Sequence, residues 1–435
     1  MIRRLDTVAL GPAGVARALD RPPGAVDPEI HRRVEEIVAA VRDKGDAALL
    51  ELTERFDRVA LSAGELAVRA AELEAAEHAV DVTTMAALRY AAERIQRFHR
   101  ESAPRSWRMT DAQGSRLGQE IRPLDRVAVY VPGGRAAYPS TVLMTVIPAR
   151  VAGVKEIVLV SPPAPDRSLH PAVLAAARVA GVTEAYRIGG AQAVAALAYG
   201  TETVRRVDKI VGPGNIYVAL AKSRVFGDVG IDMVAGPSEV MVIADASAEP
   251  AWVAADLLAQ AEHDPMARAV LLTPCRALVD AVGAAVEDQL SRLPRREIAG
   301  AALRSHGALV LTRSLEEAVE IVNLLAPEHL ELQVAEPEVL LSRVRHAGAV
   351  FLGRYTPEVV GDYVAGPNHV LPTGGTARFA SALGTEDFVK RLSVIEYAPA
   401  GLREAGPHLA ALARVEGLDG HGAAAAMRIA RGERP

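Results

Sequence analysis

The sequence predicts an α/β protein in which helices cover parallel sheets. Short β-branched runs alternate with alanine-rich helical stretches, a pattern typical of parallel sheets. The alternation runs twice, over residues 126–238 and 239–383. A chain of 435 residues also exceeds the roughly 250–300 residues that one hydrophobic core usually holds. We therefore expect two similar open, Rossmann-like α/β domains, with a helical region before them and a small tail domain after them.

The first part of the chain is predicted to be an arm followed by a helix. Residues 1–26 form the arm, which ends in the run Arg21–Gly24. Asp27, Pro28 and Glu29 then indicate a helix start. They supply a capping carboxylate, a proline at the first helical position and an acid in the first turn.

Long amphipathic helices are predicted next, over 28–57 and about 65–100. No strand signal precedes Val127. We expect residues 27–125 to form a helical region that packs with residues 239–383.

Seven β-branched runs mark the predicted strands of the two α/β domains. The first three fall in the domain 126–238 and the other four in the domain 239–383. The runs are 127–131, 157–160, 210–211, 240–243, 270–272, 309–311 and 350–352.

The end of the chain has a different character. Residues 361–375, here called the glycine-rich loop, hold four glycines and two prolines, and such rigid loops often carry function. Residues 384–435 show weak strand signals and a final helix near Ala423–Arg431. We interpret them as a tail that packs on something else.

Composition narrows the classes of function. The formal net charge is −5, with both signs spread along the chain, so no nucleic-acid surface is expected. The basic run 292–297 is interpreted as a solvated loop. A single cysteine allows no disulfide within the chain, which fits a reducing compartment. We find no signal peptide and no apolar stretch near the roughly 20 residues of a membrane span, and we expect a cytoplasmic protein.

Several polar side chains could bind a metal ion. Gln260 and His263 stand at i and i+3 of a predicted helix and so share one face. Imidazole nitrogen is a common zinc ligand and amide oxygen a weaker one, but a solvated polar face would look the same. Asp362 and His369 in the glycine-rich loop, and His421 in the tail, could add ligands. No compact motif such as HExxH or CxxC accompanies them.

Glu328 and His329 precede a strand-like run and could supply two acid–base groups at a strand edge. The alternative is a solvent-facing glutamate beside a hydrogen-bonded histidine. Cys275 lies outside these groups, and we interpret it as a structural residue.

Three glycine-rich turns, 130–134, 189–192 and 212–215, follow strand signals and lead into helices. Backbone N–H groups at such helix starts suit an anionic ligand. Tight turns that need glycine for a positive φ would also explain them. Neither GxGxxG nor a P-loop is present.

Taken together, nine segments resemble motifs of the histidinol dehydrogenase family, in family order. They are 130–134, 188–193, 211–215, 235–239, 260–263, 326–331, 361–363, 367–374 and 416–421.

The resemblance implies a role for each matching residue. It implies Gln260, His263, Asp362 and His421 as zinc ligands, Tyr130, Gln192 and Asn215 as NAD⁺ contacts, Glu328 and His329 as the catalytic pair, and Ser238, Gln260, His263, His329, Asp362, His369, Glu416 and His421 as substrate contacts.

The resemblance also implies the reaction, the oxidation of L-histidinol to L-histidine through L-histidinal, the last step of histidine biosynthesis. Zinc, one ion per subunit, has no redox chemistry and would anchor the substrate. His329 would take the hydroxyl proton while hydride leaves to NAD⁺, and Glu328 would then activate water to hydrate the aldehyde. Because Cys275 lies outside the site, we expect no thioester route.

The family is a homodimer, so the tail with Glu416 and His421 is expected to reach into the partner's site. Two other functions stay open at this point. A zinc-dependent hydrolase or deaminase could use the same ligands but would need no nicotinamide site. A non-catalytic metal or nucleotide sensor would not need the pair Glu328 and His329.

Overall fold

The structure, a computed structural model, describes residues 2–20, 27–133 and 137–431. The run Arg21–Gly24 of the predicted arm lies outside these residues, and so does Gly134 of the first glycine-rich turn. No helix of the described part is long and apolar enough to cross a membrane. The strands of this part are β1 (Arg3–Asp6), β2 (Trp107–Thr110), β3 (Arg116–Pro123), β4 (Arg126–Tyr130), β5 (Glu156–Ser161), β6 (Glu184–Arg187), β7 (Lys209–Val211), β8 (Gly230–Ile231), β9 (Glu239–Ala244), β10 (Arg268–Thr273), β11 (Ala308–Leu311), β12 (His329–Gln333), β13 (Ala349–Leu352) and β14 (Val389–Glu396).

Helices separate most of these strands. They are α1 (Thr7–Leu19), α2 (Pro28–Lys44), α3 (Asp46–Asp57), α4 (Ala63–Leu66), α5 (Ala70–Ala75), α6 (Val82–Ser102), α7 (Pro139–Ala152), α8 (Pro171–Ala180), α9 (Gly190–Tyr199), α10 (Ile216–Val225), α11 (Pro250–Ala261), α12 (Arg276–Leu290), α13 (Arg296–His306), α14 (Leu315–Leu325), α15 (Pro337–Leu341), α16 (Val359–Tyr363), α17 (Pro399–Val415) and α18 (Asp419–Arg431).

Two parallel sheets lie in one compact unit, Met1–Ser102 with Asp125–Phe388. The five-stranded sheet has the order β6-β5-β4-β7-β8, and the six-stranded sheet has the order β1-β11-β10-β9-β12-β13. Without β1, both sheets place their strands as third, second, first, fourth and fifth along the chain. The predicted α/β class with parallel sheets is confirmed, and all seven predicted strand runs form strands.

The first strand is an addition that the sequence did not predict. β1 pairs in parallel with β11, with Arg3 opposite Ala308, and α1 packs against α14. The expectation of no strand before Val127 is therefore wrong. A four-residue edge strand that includes Arg3 and Arg4 carries too little β-branched character to be recognised.

The helical region packs differently from the prediction. Val34 and Val41 of α2 and Leu49 of α3 belong to the same buried cluster as the residues of α9. Their partners are thus helices of the five-stranded sheet, not residues 239–383. The reason is that α9 is apolar around its circumference, so its outer face also has to be covered.

The predicted helix 28–57 is interrupted at one residue. Asp27 caps α2 as predicted, since its carboxylate accepts a hydrogen bond from the Glu29 N–H at 2.9 Å. Gly45 has a φ of 56° and separates α2 from α3. A left-handed residue cannot continue an α-helix, and glycine adopts this conformation without a steric penalty.

A second unit consists of Ala103–Leu124 and Val389–Pro435. Its sheet has the order β14-β3-β2 and is antiparallel, with Val389 opposite Pro123. Residues 103–124 therefore belong with the tail and not with the helical region, because β3 pairs with β14 along its whole length. The predicted final helix is confirmed as α18.

Candidate functional site

The predicted NAD⁺ contacts meet at the carboxyl ends of the five-stranded sheet. Tyr130 ends β4, Gln192 lies in the first turn of α9 after β6, and Asn215 precedes α10 after β7. All three line one cavity of about 910 Å³, which is also bordered by α2, by α3 and by the segments after β4 and β5. Ligands of open parallel sheets bind at this edge, and the volume suits a nucleotide cofactor.

Glycines let the backbone come close at this edge. Gly190 has a φ of 62°, and its N–H donates to the Tyr130 hydroxyl at 3.0 Å. Burial raises the pKa of Tyr130 to about 12, so its hydroxyl stays protonated at neutral pH. Gly212 has a φ of 108°, and a Cβ there would lie 2.3 Å from the Tyr130 carbonyl oxygen. At these two positions the turns need glycine, and Gly190 and Asn215 of these turns line the cavity, so the need for a tight turn and a place beside a ligand do not exclude each other.

A buried ion pair holds the turn that leads to Asn215. Lys222 donates to the Gly212 carbonyl at 2.9 Å, and Asp232 accepts from the Gly212 N–H at 2.7 Å. Lys222 and Asp232 also contact each other. Asn215 caps α10 by accepting from the N–H groups of Tyr217 and Val218.

Gln192 is fully buried, and its amide nitrogen has no hydrogen-bond partner within the described part of the chain. An unmade hydrogen bond of a buried donor costs free energy. A residue of this kind that lines a cavity is suited to bind a ligand carbonyl or hydroxyl.

The predicted catalytic residues lie at the amino ends of the six-stranded sheet. His329 begins β12, Glu328 directly precedes it, and Ser238 directly precedes β9. This edge is the reverse of the one that the cofactor cavity occupies in the five-stranded sheet.

The pair is tightly held by one neighbour, Glu239. The Glu239 N–H donates to Oε2 of Glu328 at 2.9 Å, and the Glu239 carbonyl oxygen lies 3.2 Å from Nδ1 of His329. A carbonyl only accepts, so Nδ1 carries the proton and Nε2 is left as the basic atom. Nδ1 of His329 and Oε2 of Glu328 are 3.8 Å apart.

Burial controls the charge of the pair. Burial lowers the pKa of His329 to about 3, which keeps the imidazole neutral. Burial also raises the pKa of Glu328 well above its usual range, and the Ser238 side chain contributes a hydrogen bond that opposes this rise. A neutral imidazole can accept a proton, although its lowered pKa makes it a weaker base than an exposed histidine, and a carboxylate of raised pKa is a stronger base than an ordinary one. The solvent-facing alternative for Glu328 is excluded because both residues are buried.

Glu358 adds a second carboxylate beside His329. Its Oε1 lies 3.8 Å from Nε2 of His329, and neither carboxylate oxygen has a hydrogen-bond partner among the residues described. His329, Glu358 and Asp362 have ligand atoms within 4.8 Å of one another and could together hold a metal ion. Only Asp362 of these three belongs to the predicted zinc set.

Gln260 and His263 are neighbours at the end of α11. The Gln260 amide nitrogen lies 3.0 Å from Nδ1 of His263. The Gln260 side chain is fully buried, and its amide oxygen has no partner in the described residues. A solvated polar face does not describe Gln260, and a buried free oxygen next to an imidazole fits a metal ligand.

Asp362 and His369 are joined within the glycine-rich loop. Nδ1 of His369 lies 3.0 Å from the Asp362 carbonyl oxygen, and Nε2 lies 3.4 Å from the Thr141 hydroxyl of α7. Burial raises the pKa of Asp362 to about 6 and lowers that of His369 to about 4. The loop thus contacts the helix that follows the cofactor edge.

Glu416 and His421 lie in the second unit. Glu416 follows α17, and His421 is in the first turn of α18. Both side chains are exposed. Their predicted roles at a partner's site stay predictions.

Sequence reasoning assigned no role to Glu239, Arg268, Glu358 and Thr141, which the structure brings to this region. Glu239 ends the motif 235–239 and could have been noticed there. The other three stand in no motif. Arg268 reaches the region through the pairing of β10 with β9, Thr141 lies on α7, and Glu358 directly precedes α16. Cys275 precedes α12 and packs against the apolar core there, as expected of a structural cysteine.

The fold and these two sites define a class, the α/β enzymes that combine a nucleotide-sized cavity with a buried acid–base pair. The model of the family described as histidinol dehydrogenase matches residues 21–429. A histidinol dehydrogenase of Geobacillus kaustophilus is 58% identical over 405 residues, which cover 93% of this chain and 95% of the relative.

A histidinol dehydrogenase of Synechococcus sp. is 53% identical over 430 residues, 98% of this chain and 99% of the relative. The crystal structure of histidinol dehydrogenase from Elizabethkingia anophelis has a TM-score of 0.95 and 36% identity, and it covers 100% of this chain and 99% of that chain. The chain belongs to the histidinol dehydrogenase family. It is an oxidoreductase, as the sequence predicts, and neither the hydrolase nor the sensor alternative finds support.

Proposed function

We propose that this chain oxidises L-histidinol to L-histidine through L-histidinal, using two NAD⁺ and one water. The observation that carries the proposal is the buried pair Glu328 and His329, with its tautomer fixed by the Glu239 carbonyl. One neutral base and one carboxylate of raised pKa meet the needs of two successive oxidations with a hydration between them.

His329 takes the first proton in this proposal. Its Nε2 is the unprotonated nitrogen and accepts the hydroxyl proton of the substrate. Glu358 lies 3.8 Å from Nε2, where its ionised form would stabilise the imidazolium, while burial raises the pKa of this carboxyl well above its usual range. NAD⁺, when bound, accepts one hydride in each oxidation.

Glu328 acts between the two oxidations. It takes a proton from the water that adds to the aldehyde carbon, so that the hydrated aldehyde can be oxidised in turn. The burial that raises its pKa also keeps bulk water away from the aldehyde.

Zinc binding is assigned to Gln260, His263, Asp362 and His421. The buried, unpartnered amide oxygen of Gln260 fits this role, and two imidazoles with one carboxylate complete a donor set common for zinc. When bound, the ion would anchor the amine and imidazole of the substrate. Ser238, His369 and Glu416 are assigned as further substrate contacts.

NAD⁺ binding is assigned to the cavity lined by Tyr130, Gln192 and Asn215. The unpartnered amide nitrogen of Gln192 fits a ligand there. The equal strand order of the two sheets supports two similar Rossmann-like domains. A cytoplasmic location is also part of the proposal and rests on the biosynthetic family and the single cysteine.

A homodimer in which the tail completes the partner's site is proposed as well. The second unit exposes large apolar side chains, which favours an interface. They include Trp107, Met109, Leu392, Ile395, Tyr397, Leu412, Val415 and Met427.

Complementation tests the shared site. His421→Ala and His329→Asn proteins are each expected to be inactive alone. Mixing them after dissociation should restore part of the activity if one site takes residues from both subunits. Absence of recovery in reassociated dimers would contradict shared sites.

The function itself is tested by counting NADH. With limiting L-histidinol and excess NAD⁺, the proposal expects two NADH per substrate, loss of activity after chelation and recovery with zinc. One NADH per substrate, or none from a folded and zinc-loaded sample, would contradict it.

A further inference from the structure

The contacts of Glu239 extend beyond those of an ordinary strand residue. Glu239 is the first residue of β9 and is 1% exposed. Its backbone meets both members of the catalytic pair, as described above. Its side chain returns to the same residues, since Oε1 accepts from the Glu328 N–H at 3.3 Å and from the Gly374 N–H at 3.1 Å.

Arg268 completes this arrangement from the next strand. It begins β10, lies directly opposite Glu239 in the parallel pairing, and contacts Oε2 of Glu239. Arg268 is 3% exposed and also donates to the Leu19 carbonyl at 2.8 Å. Both terminal nitrogens of the buried guanidinium thus have acceptors, while its Nε has none among the described residues.

We propose that Glu239 and Arg268 are positioning residues that together orient both catalytic side chains, Glu328 through its carboxylate and His329 through its tautomer. This inference rests on the proposed roles of Glu328 and His329.

The chemistry of the carboxylate explains why glutamate stands at this position. An ionised carboxylate only accepts hydrogen bonds and has about four acceptor directions, and here it meets three donors. Glutamine would keep one acceptor oxygen but turn an NH₂ group toward Arg268. Arg268 in turn neutralises a charge that would otherwise be buried without a partner.

The Glu239 side chain also contacts the glycine-rich loop. Because Oε1 of Glu239 accepts from both Glu328 and Gly374, the loop with Asp362 and His369 is tied to the pair through one oxygen. A substitution that displaces Glu239 is therefore expected to move the acid–base pair and the loop together and to lower kcat of both oxidations.

The test compares two half-reactions, which are started from L-histidinol and from L-histidinal. We expect Arg268→Met and Glu239→Gln to lower kcat of both by about 10- to 100-fold, since small misplacements of reacting groups have such effects. KM for NAD⁺ should stay within about twofold, because the cavity is untouched. Arg268→Lys should recover part of both rates.

Arg126→Met is the matched control. Arg126 begins β4 as Arg268 begins β10, is also buried, and pairs with Glu156 and Glu184. Its loss should lower stability but leave both kcat values within about twofold per folded site. An equal loss of kcat in Arg126→Met would show a general effect of a broken buried pair and would overturn the inference.

Two further outcomes are decisive. Unchanged kcat in folded Arg268→Met and Glu239→Gln would overturn the positioning role. If Glu239→Gln does not fold, the positioning role is tested by the ratio of kcat for Arg268→Lys to kcat for Arg268→Met. Equal kcat values for these two variants would contradict the role. His329→Asn and Glu328→Gln are measured in parallel. Undiminished oxidation of L-histidinol by His329→Asn, or undiminished oxidation of L-histidinal by Glu328→Gln, would show instead that the proposed roles of these two residues are at fault.

Discussion

The cofactor cavity and the catalytic pair lie at opposite ends of two sheets with the same strand order. Tyr130 ends β4, and Gln192 and Asn215 follow β6 and β7, whereas Glu328 and His329 stand before or at the start of β12. The first site is shaped by backbone turns with positive φ at glycine. The second is shaped by side chains that distant strands bring together. Strand order therefore locates only the first kind of site, while the second depends on buried polar contacts at the other end of a sheet.

The largest expected effect is the loss of kcat on substitution of His329, which tests whether the catalytic edge and the cofactor edge act independently. His329→Asn should lower kcat by about 10²- to 10⁴-fold, since the base is lost. Binding of NAD⁺, measured by titration calorimetry, should be unchanged because the cavity lies at the other sheet. Metal analysis of the His329→Asn protein checks that zinc is still bound. A large loss of NAD⁺ affinity would instead mean that the two edges are not independent.

Glu328→Gln should affect the two oxidation steps at the catalytic edge differently. Oxidation of L-histidinal should fall by about 10²-fold, because water is no longer activated. The first hydride transfer from L-histidinol, measured in a single turnover, should fall much less. Equal losses in both steps would remove the assignment of Glu328 to water.

Substitution of Asn215 tests the cofactor edge through two quantities, the affinity for NAD⁺ and the free energy of unfolding. Asn215→Ala should weaken NAD⁺ binding by about tenfold through a lost hydrogen bond, while kcat at saturating NAD⁺ changes little. The same change removes the cap of α10, at a cost of about 1 kcal/mol in the free energy of unfolding.

Asn215→Asp keeps an acceptor for the Tyr217 and Val218 N–H groups and should preserve the cap. It therefore isolates the effect on the cofactor. If both variants bind NAD⁺ like the unsubstituted chain, Asn215 is a cap and nothing more.

The smallest expected effect concerns Asp57, which ends α3 and lines the cavity. Burial raises its pKa to about 6, and one carboxylate oxygen has no partner in the described structure. The ionised form is therefore disfavoured in the fold. Its stability cost grows as pH rises from about 4 to about 6 and stays constant above that.

Asp57→Asn should thus raise the free energy of unfolding at about pH 8 by on the order of 1 kcal/mol, less than the full shift because Asp57 is partly exposed. At about pH 3.5 the gain should be much smaller, since the carboxyl is mostly protonated in both states. Chemical denaturation at the two pH values measures both. A gain of equal size at both values would trace the effect to packing and not to charge.

Local patterns predicted much of the fold. The β-branched runs of β4 and β9 and the cap at Asp27 could be read directly, because each depends on neighbours in the chain. β1 could not be, since its identity as a strand depends on pairing with β11. The packing of α2 on α9 could not be predicted either, because both helices carry an apolar face and the sequence does not show which faces pack together.

The site shows the same division. Resemblance to a family pointed to Glu328 and His329, and the structure shows them buried and joined to Glu239. The resemblance could not assign Arg268 or Glu358. Arg268 contacts Glu239 because β10 pairs with β9, and Glu358 lies near His329 because of the path of the chain before α16. Whether Gln260 acts as a metal ligand was open from spacing alone, and its buried, unpartnered oxygen now favours that role.

The pairing of β1 with β11 also bears on how the chain folds as it is made. Arg3 is opposite Ala308, so the first strand leaves the ribosome 305 residues before its partner. At about 5–20 residues per second, that delay is roughly 15–60 s. The five-stranded sheet, complete by Ile231, can close long before. The residues of β1 then wait longest between synthesis and their native pairing, and a mutation that weakens this edge would prolong exposure of the unpaired edge of β11 to other chains.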